Sequence, residues 1–188
     1  KMREINSLYY DDYNYTNFKD SEDGISKRSK IRARYYDNGE EGFNLENKLK
    51  EENLNWKIYE TNKSIKSYKL LPLRESIFKS SNNIYLPSVI KSIYYPKVFI
   101  SYLRKYFVSR DNSLRITIDY RIRFFSAKIS KEFIKIGIPR ENIYNVLELK
   151  YEDSVSIDEL FIKRLTKEFN FNLSRSSKYC EAIKNIFA

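Results

Sequence analysis

The chain has 188 residues, of which 41% are hydrophobic, so it is long and apolar enough to fold around a core. Lys and Arg total 35 against 25 acidic residues, and the net charge of +10 favours a polyanionic partner: nucleic acid, a membrane surface or a phosphate-rich molecule. The chain contains no histidine, which excludes histidine general bases and histidine metal ligands.

Glycine and cysteine usage narrows the chemistry further. The four glycines form neither a G-x-x-x-x-G-K loop nor a G-x-G-x-x-G loop, so side chains rather than a glycine-rich loop would hold any phosphate. The single cysteine, Cys180, excludes an intrachain disulfide. No apolar run is long enough to cross a bilayer. The sequence therefore predicts a soluble, cytoplasmic protein, and it leaves open a position at the cytoplasmic face of a membrane.

Alternating patterns predict strands in the N-terminal part of the chain. The segment "EINSLYYDD" is the first, and "KIRARYYD" follows with Lys30, Arg32 and Arg34 on one face and apolar residues on the other. In "FNLENKLK" the charged face carries Glu46 and Lys48. The intervening "DNGEEG" predicts a hairpin turn, and "NWKIYET" predicts a further strand.

The remainder of the chain mixes helices with longer strands. Prolines break the apolar segment 61–95, which we interpret as a helical insertion. "KVFISYLRKYFV" places Tyr102, Arg104 and Tyr106 together, and "VLELKYE" predicts a last strand. Helical spacing predicts C-terminal helices within 156–188. "SLRITIDYRIRFF" divides into an apolar face and a charged face; the apolar face holds Leu114, Ile116, Ile118, Tyr120 and Ile122, and the charged face holds Arg115, Thr117, Asp119, Arg121 and Arg123.

Basic residues at matching parity on several strands predict the fold class. An ordinary antiparallel sheet has one wet face, but such faces normally mix Lys, Glu, Thr and Ser. Closing the sheet would instead pool the cations in one lumen. The prediction is an α+β domain over 1–188: an antiparallel β tunnel with an Arg- and Lys-lined lumen, helices packed outside and C-terminal helices. Crowded like charges would make such a lumen costly when it is empty, and a bound polyanion would relieve that cost.

Six segments in order resemble the VTC domain, the polyphosphate polymerase domain of the triphosphate tunnel superfamily. They are "INSLYYDD", "KIRARYYD", "FNLENKLK", "SLRITIDYRI", "NVLELKY" and "SRSSKYC". The resemblance implies an antiparallel β tunnel and transfer of the ATP γ-phosphate onto polyphosphate. It also implies a divalent metal cofactor, Mn²⁺ or Mg²⁺. Members of the family usually begin with a further strand of alternating acidic and basic residues, upstream of "INSLYYDD". No counterpart of this strand is found in this sequence, so an open barrel edge is expected.

The resemblance also implies site residues. The motif positions correspond to catalytic Arg32, Arg34, Lys48, Arg104, Arg115 and Lys178. Further cations are expected to bind the substrate: Lys30, Arg28, Lys50, Lys150 and Arg175. Glu148 matches the metal-holding glutamate, with Glu46 as a helper. Without the resemblance, a salt bridge to a neighbouring arginine explains Glu148 equally well.

Three functions stay open at this stage. The first is a polyphosphate polymerase that uses ATP and a divalent metal. The second is a triphosphate hydrolase of the same fold, since both chemistries need charge neutralisation and in-line positioning. The third is a non-catalytic module that binds polyphosphate or nucleic acid. Nucleic acid is disfavoured because Tyr35, Tyr120 and Tyr151 fall on the face away from the cations, whereas single-strand binding needs aromatics and cations together.

Overall fold

A computed structural model describes residues 2–52, 54–62, 94–130, 133–151, 164, 166–168, 174 and 176–187. Within them the secondary structure is dominated by strands. The strands are β1 (Met2–Asp11), β2 (Arg28–Tyr36), β3 (Phe43–Glu51), β4 (Leu54–Asn62), β5 (Tyr95–Val108), β6 (Leu114–Ser130), β7 (Phe133–Ile136), β8 (Arg140–Glu141) and β9 (Val146–Tyr151). The helices with defined bounds are α1 (Thr16–Glu22) and α2 (Lys178–Phe187). Residues 164 and 166–168 are also helical.

All nine strands belong to one antiparallel sheet. The order is β4-β3-β2-β1-β5-β6-β7, and β8 and β9 also pair with β6. Strand β6 is long enough to carry β9, β8 and β7 in turn along its free edge. Within the described part of the chain β4 does not pair with the opposite edge, so the sheet is not closed into a barrel. The predicted antiparallel sheet is confirmed, whereas its closure is not observed.

The β2–β3 connection is the hairpin that the sequence predicts. Register pairs Arg34 with Asn44 across the turn, and the backbone folds back between them. Gly39 and Gly42 have φ values of 74° and 85°, which lie in the left-handed region that glycine adopts without steric cost. The amide of Gly39 donates to the Tyr36 carbonyl, and that of Gly42 donates to the Gly39 carbonyl. This tight turn fixes which residues of β2 and β3 face each other.

Strand β6 departs from the predicted alternation at Arg121. Arg121 has a φ of 52°, and here β6 has one residue more than β5 between Ser101 and Leu103. A bulge of one residue moves every later side chain to the opposite face. Ile122 therefore lies on the same face as Asp119 and is fully buried. The prediction that Arg123 shares a face with Asp119 is wrong, because Arg123 lies on the other face.

The two faces of the sheet carry separate apolar cores. On one face a core forms around Leu8, Ile31, Phe43 and Phe99. On the other face α2 packs against β1, β5 and β6, and it contributes Ile183 to the second core. The predicted C-terminal helix is present as α2, and it lies on the same face as the basic residues of β2 rather than outside the sheet.

Helix α1 was not predicted from the sequence. It follows β1 directly, and the Asp11 carboxylate accepts hydrogen bonds from the Asn17 and Phe18 amides at 3.1 and 3.0 Å. These amides lie in the first turn, where backbone donors have no partner inside the helix. Tyr179 of α2 donates to the same carboxylate, so Asp11 connects both helices to the sheet.

Parts of the predicted organisation lie outside the described residues. Of the predicted insertion 61–95, the structure describes only the end of β4, residue 94 and the start of β5. Of the predicted C-terminal helices in 156–188, it describes α2 and the helical residues near 164. None of the helices in the described ranges is long and apolar enough to cross a membrane.

Candidate functional site

Five strands place most of the candidate residues on one face of the sheet. Directly opposed residues of an antiparallel pair point to the same side, so the register alone identifies this face. Arg32 opposes Glu46 and Tyr9, while Arg104 opposes Asp119. We call this surface the cationic face; its candidate residues are Arg28, Lys30, Arg32, Arg34, Glu46, Lys48, Lys50, Arg104, Arg115, Glu148 and Lys150.

The sheet curls so that its edges approach each other across this face. Five inter-strand steps separate β3 from β9, which is about 24 Å in a flat sheet. At that distance salt would screen two charges almost completely. Glu148 and Lys150 of β9 nevertheless perturb the pKa of Lys48 on β3. The neighbouring residues Ser177 and Lys178 also contact Lys30 of β2 and Asp119 of β6, strands that lie three inter-strand steps apart. The cationic face is therefore concave.

Glu46 is a buried counter-ion on this face. It is 2% exposed, and its carboxylate lies 2.6 Å from Arg32 Nη2 and 3.5 Å from Lys57 Nζ. Burial alone would raise the pKa of Glu46, but the charges of Arg32 and Arg34 and the hydrogen bond from Arg32 outweigh it and lower the pKa. Lys57 was not among the predicted site residues. The predicted crowding of like charges is thus partly relieved within the protein itself.

Asp119 is the second buried counter-ion. Arg104 donates to it through Nε at 2.5 Å and Nη2 at 2.7 Å, the bidentate geometry that suits a guanidinium. Lys178, the first residue of α2, lies 2.7 Å from the same carboxylate. Burial opposes ionisation, but the Arg104 hydrogen bond and the Lys178 charge lower the pKa of Asp119. Asp119 is thus an ion-pair partner of Arg104 and Lys178 rather than of the arginines on its own strand.

Arg34 is buried without a carboxylate partner among the described residues. It is 9% exposed. Its Nε donates to Ser7 Oγ at 3.1 Å, and its Nη2 donates to the Tyr102 hydroxyl at 3.3 Å. Both acceptors are neutral, and no ion pair within 4.0 Å is found for Arg34 in the described part of the chain. Among the described carboxylates, Glu46 interacts with Arg34 electrostatically without forming an ion pair. A buried charge with no directly bonded counter-ion is unfavourable, so this position attracts an anion.

Lys48 lies in an electropositive environment at the β3 side of the face. Removal from water lowers its pKa, and repulsion from Arg32, Lys150 and Lys30 lowers it further against the opposing effect of Glu148. Across the face, Glu148 is half-exposed and lies 3.3 Å from Lys150 Nζ. Its other oxygen lies 3.8 Å from Arg104 Nη2. Glu148 is therefore bonded loosely enough to exchange partners.

The remaining predicted cations lie at different distances from this centre. Lys30 donates to Ser177 Oγ at 2.9 Å, which joins β2 to the start of α2. Arg28 instead donates to the Ile25 carbonyl, so its guanidinium turns back towards the preceding loop. Arg115 is exposed and opposes Lys150 at the end of the face. Lys50 opposes Arg28, and Arg175 lies outside the described residues.

Two buried tyrosines complete the site, and one of them, Tyr9, was not predicted from the sequence. Tyr9 accepts a hydrogen bond from Arg32 Nη1 at 2.9 Å, and its ring stacks on Tyr179 with centroids 5.2 Å apart. The Tyr102 ring lies under Arg104 and Lys178, at 5.4 and 5.1 Å from its centroid. The alternation of β1 could have identified Tyr9, because its parity matches that of Ser7.

The described side chains can hold a divalent metal only if a bound ligand supplies some of the metal-coordinating oxygens. No cluster of three or more acidic or cysteine side chains capable of holding a metal occurs in the described ranges. Glu148, however, opposes Thr117, whose buried Oγ1 makes no hydrogen bond. Mg²⁺ and similar ions often use one or two carboxylates together with substrate phosphates and water. The residues present therefore fit a metal that is bound jointly with phosphate.

A curled antiparallel sheet with a concave cationic face and buried counter-ions defines a fold built to surround an anion. In a comparison with known protein families, the VTC domain matches residues 1–187 of this chain. The chain therefore belongs to the VTC domain family. The predicted resemblance is thereby confirmed.

Several solved structures show a similar fold. One of them is a candidate adenylate cyclase from Bacillus halodurans, with a TM-score of 0.55 at 14% identity, and the match covers 100% of this chain and 83% of that one. At this identity the likeness concerns the fold alone. No curated protein matches the sequence. Together, the family and the fold support a triphosphate-tunnel fold that acts on phosphate substrates.

Proposed function

We propose that this domain transfers the γ-phosphoryl group of ATP onto a polyphosphate chain, with a divalent cation. Family membership supports the reaction class, and the concave cationic face supports the substrate class. The observation that carries the proposal is Arg34, a buried guanidinium whose partners in the described structure are neutral hydroxyls. A phosphate oxygen would supply a negatively charged group that bonds Arg34 directly.

Charge neutralisation is the main contribution of these side chains to phosphoryl transfer. The attacking group is already a phosphate oxyanion, so the reaction needs no general base, and the lack of histidine is no obstacle. We assign Arg32, Arg34 and Arg104 to the nonbridging oxygens, because a guanidinium binds phosphate through two parallel hydrogen bonds. Lys48 and Lys178 add charge from opposite sides and favour an in-line arrangement.

Glu46 and Asp119 hold these cations in place before substrate arrives. Each carboxylate is buried and fixes arginine geometry through hydrogen bonds of 2.5–2.7 Å. Preorganised charges need little rearrangement as negative charge develops in the transition state. We therefore assign Glu46 to positioning Arg32 rather than to the metal.

Glu148 is the residue we assign to the metal. A divalent cation bound there would neutralise phosphate charge and orient the leaving diphosphate. Its partners in the described structure are Lys150 and Arg104 at 3.3 and 3.8 Å. These contacts are weak enough for the carboxylate to leave them. Thr117, directly opposite, offers a hydroxyl to the same ligand shell.

The products separate polymerase from hydrolase. After incubation with ATP and Mn²⁺, a polymerase forms ADP with little inorganic phosphate, because the phosphoryl groups enter the polymer. A hydrolase forms inorganic phosphate and ADP in equal amounts. We expect far more ADP than inorganic phosphate. Equal amounts would replace the polymerase proposal with hydrolysis at the same site.

Thermal unfolding tests the non-catalytic alternative. Tripolyphosphate should raise the melting temperature well above a chloride control of equal ionic strength, because it binds the native state. Duplex DNA should protect much less, since it is too wide for the concave face. Equal protection by DNA would favour a nucleic-acid-binding module.

A further inference from the structure

Tyr9 lies where the positive charges of the cationic face converge. Arg32 of β2 donates a hydrogen bond to its hydroxyl, and the charges of Arg34 from β2 and Lys178 from α2 act on the same group. Glu46 of β3 does not contact Tyr9 directly; it forms an ion pair with Arg32, which does. The other groups that face Tyr9 are two further tyrosines: Tyr102 from β5 and Tyr179 from α2.

A hydrogen bond from Arg32 orients the hydroxyl of Tyr9, and this hydroxyl donates no hydrogen bond to any described residue. Arg32 Nη1 donates to the phenol oxygen at 2.9 Å, which occupies an acceptor position. No described residue accepts a hydrogen bond from the Tyr9 O–H. A tyrosine hydroxyl can donate and accept at once, so one donor is left. The ring cannot rotate away, because it is 7% exposed and stacked on Tyr179.

A comparison with Tyr102 shows that burial alone does not make the surroundings of a tyrosine as electropositive as those of Tyr9. It also accepts a hydrogen bond from an arginine, Arg34, at 3.3 Å. Burial raises the pKa of Tyr102; the charges of Arg34 and Arg104 oppose this effect but do not outweigh it, and Tyr9 and Asp119 add to it. Burial opposes ionisation of Tyr9 as well, but Arg32, Arg34 and Lys178 outweigh it and lower the Tyr9 pKa. Tyr9 therefore occupies the more electropositive of the two positions.

We propose that Tyr9 is a ligand-binding residue whose hydroxyl donates a hydrogen bond to a bound phosphate oxygen and couples anion binding to proton uptake. This inference rests on the proposed function, because it concerns the same phosphate site. In the empty site at alkaline pH, Tyr9 loses its proton and becomes an internal counter-anion for the surrounding cations. When polyphosphate binds, the phenolate takes one proton from the buffer, because two anions cannot share the position.

Calorimetric titration with tripolyphosphate, without metal, tests the hydrogen bond. At neutral pH, Tyr9→Phe should weaken binding about tenfold, the ratio typical of one hydrogen bond to a charged group. The deficit should shrink as the pH rises, because wild-type Tyr9 then loses its donor while the variant has nothing to titrate. Tyr10→Phe is the matched control: Tyr10 is the next residue, is equally buried and lies on the opposite face. Its affinity should equal that of the wild type at each pH.

Near-ultraviolet absorbance tests the proton uptake, and its first readout is on the wild type itself. In alkaline buffer, tripolyphosphate should reduce the phenolate absorbance of the wild type and of Tyr10→Phe, but not that of Tyr9→Phe. If the wild type binds tripolyphosphate and its phenolate absorbance is unchanged, the coupling is wrong. If Tyr9→Phe also binds with wild-type affinity at every pH, Tyr9 only supports α2. If the wild type does not bind tripolyphosphate, the proposed function fails, and this inference fails with it.

Discussion

Replacing Arg34 with methionine should separate stability from ligand binding. Arg34 is 9% exposed, and its hydrogen bonds go to the neutral hydroxyls of Ser7 and Tyr102. The substitution removes a desolvated charge, which relieves a cost of several kcal/mol, and it loses two hydrogen bonds of about 1.5–3 kcal/mol each. Methionine has a similar length and adapts to irregular spaces. These effects nearly cancel, so the free energy of unfolding should change by no more than about 1 kcal/mol.

Ligand binding should respond very differently. A guanidinium that binds phosphate through two charge-assisted hydrogen bonds contributes roughly 3–5 kcal/mol, which is a hundred- to several-thousand-fold in affinity. Calorimetric titration with tripolyphosphate measures the affinity, and urea unfolding of the empty protein measures the stability. We expect a large loss of affinity at almost unchanged stability.

Arg32→Met is the matched control, from the same strand and the same face. Arg32 is paired with Glu46, which is 2% exposed. Its removal leaves a buried carboxylate poorly compensated, so the free energy of unfolding should fall by about 3 kcal/mol. If Arg34→Met instead destabilises the protein as much as Arg32→Met does and keeps wild-type affinity for tripolyphosphate, then Arg34 is a structural residue and the proposed phosphate site is wrong.

Three further substitutions test separate parts of the account. Glu148→Gln should abolish metal-dependent turnover and leave metal-free tripolyphosphate affinity equal or higher, since an anion has gone; full activity would make Glu148 a salt-bridge partner only. Asp119→Asn should cost about 3–5 kcal/mol at neutral pH. The pKa of Asp119 is lowered in the folded protein, so the wild type should be more stable than the variant by the full amount above the ordinary carboxyl pKa. This difference in unfolding free energy should disappear as the pH falls through the lowered pKa, and a difference that does not depend on pH would contradict the assignment. Arg121→Gly should keep or raise the melting temperature, because φ is 52° there, and a marked drop would count against the bulge.

The sheet was predictable because alternation is a local property of the sequence. Strands β1 to β6 and β9 were identified in this way, and so was the face shared by Arg32, Arg34 and Lys48. The bulge at Arg121 was not predictable, because an arginine in a left-handed conformation leaves no mark on the pattern. The short strands β7 and β8 were also missed, since they exist through pairing with β6 rather than through their own sequence.

The charge balance of the site depends on contacts that sequence spacing does not reveal. Asp119 meets Lys178 from a segment 59 positions further along the chain, and only the packing of α2 brings them to 2.7 Å. For the same reason the sequence offered no sign that Tyr9 faces three cations from two elements. Alternation shows which face a side chain occupies, whereas the curl of the sheet and the docking of α2 decide which charges meet.

Electrophoresis of the reaction products tests the central claim most directly. The protein is incubated with ATP and Mn²⁺, and the products are separated on a gel stained for polyphosphate. We predict a ladder that lengthens with time in the wild type and is absent in Arg34→Met, although that variant remains folded. The absence of a ladder in the wild type at any ATP concentration, or a ladder of equal strength from Arg34→Met, would contradict the account.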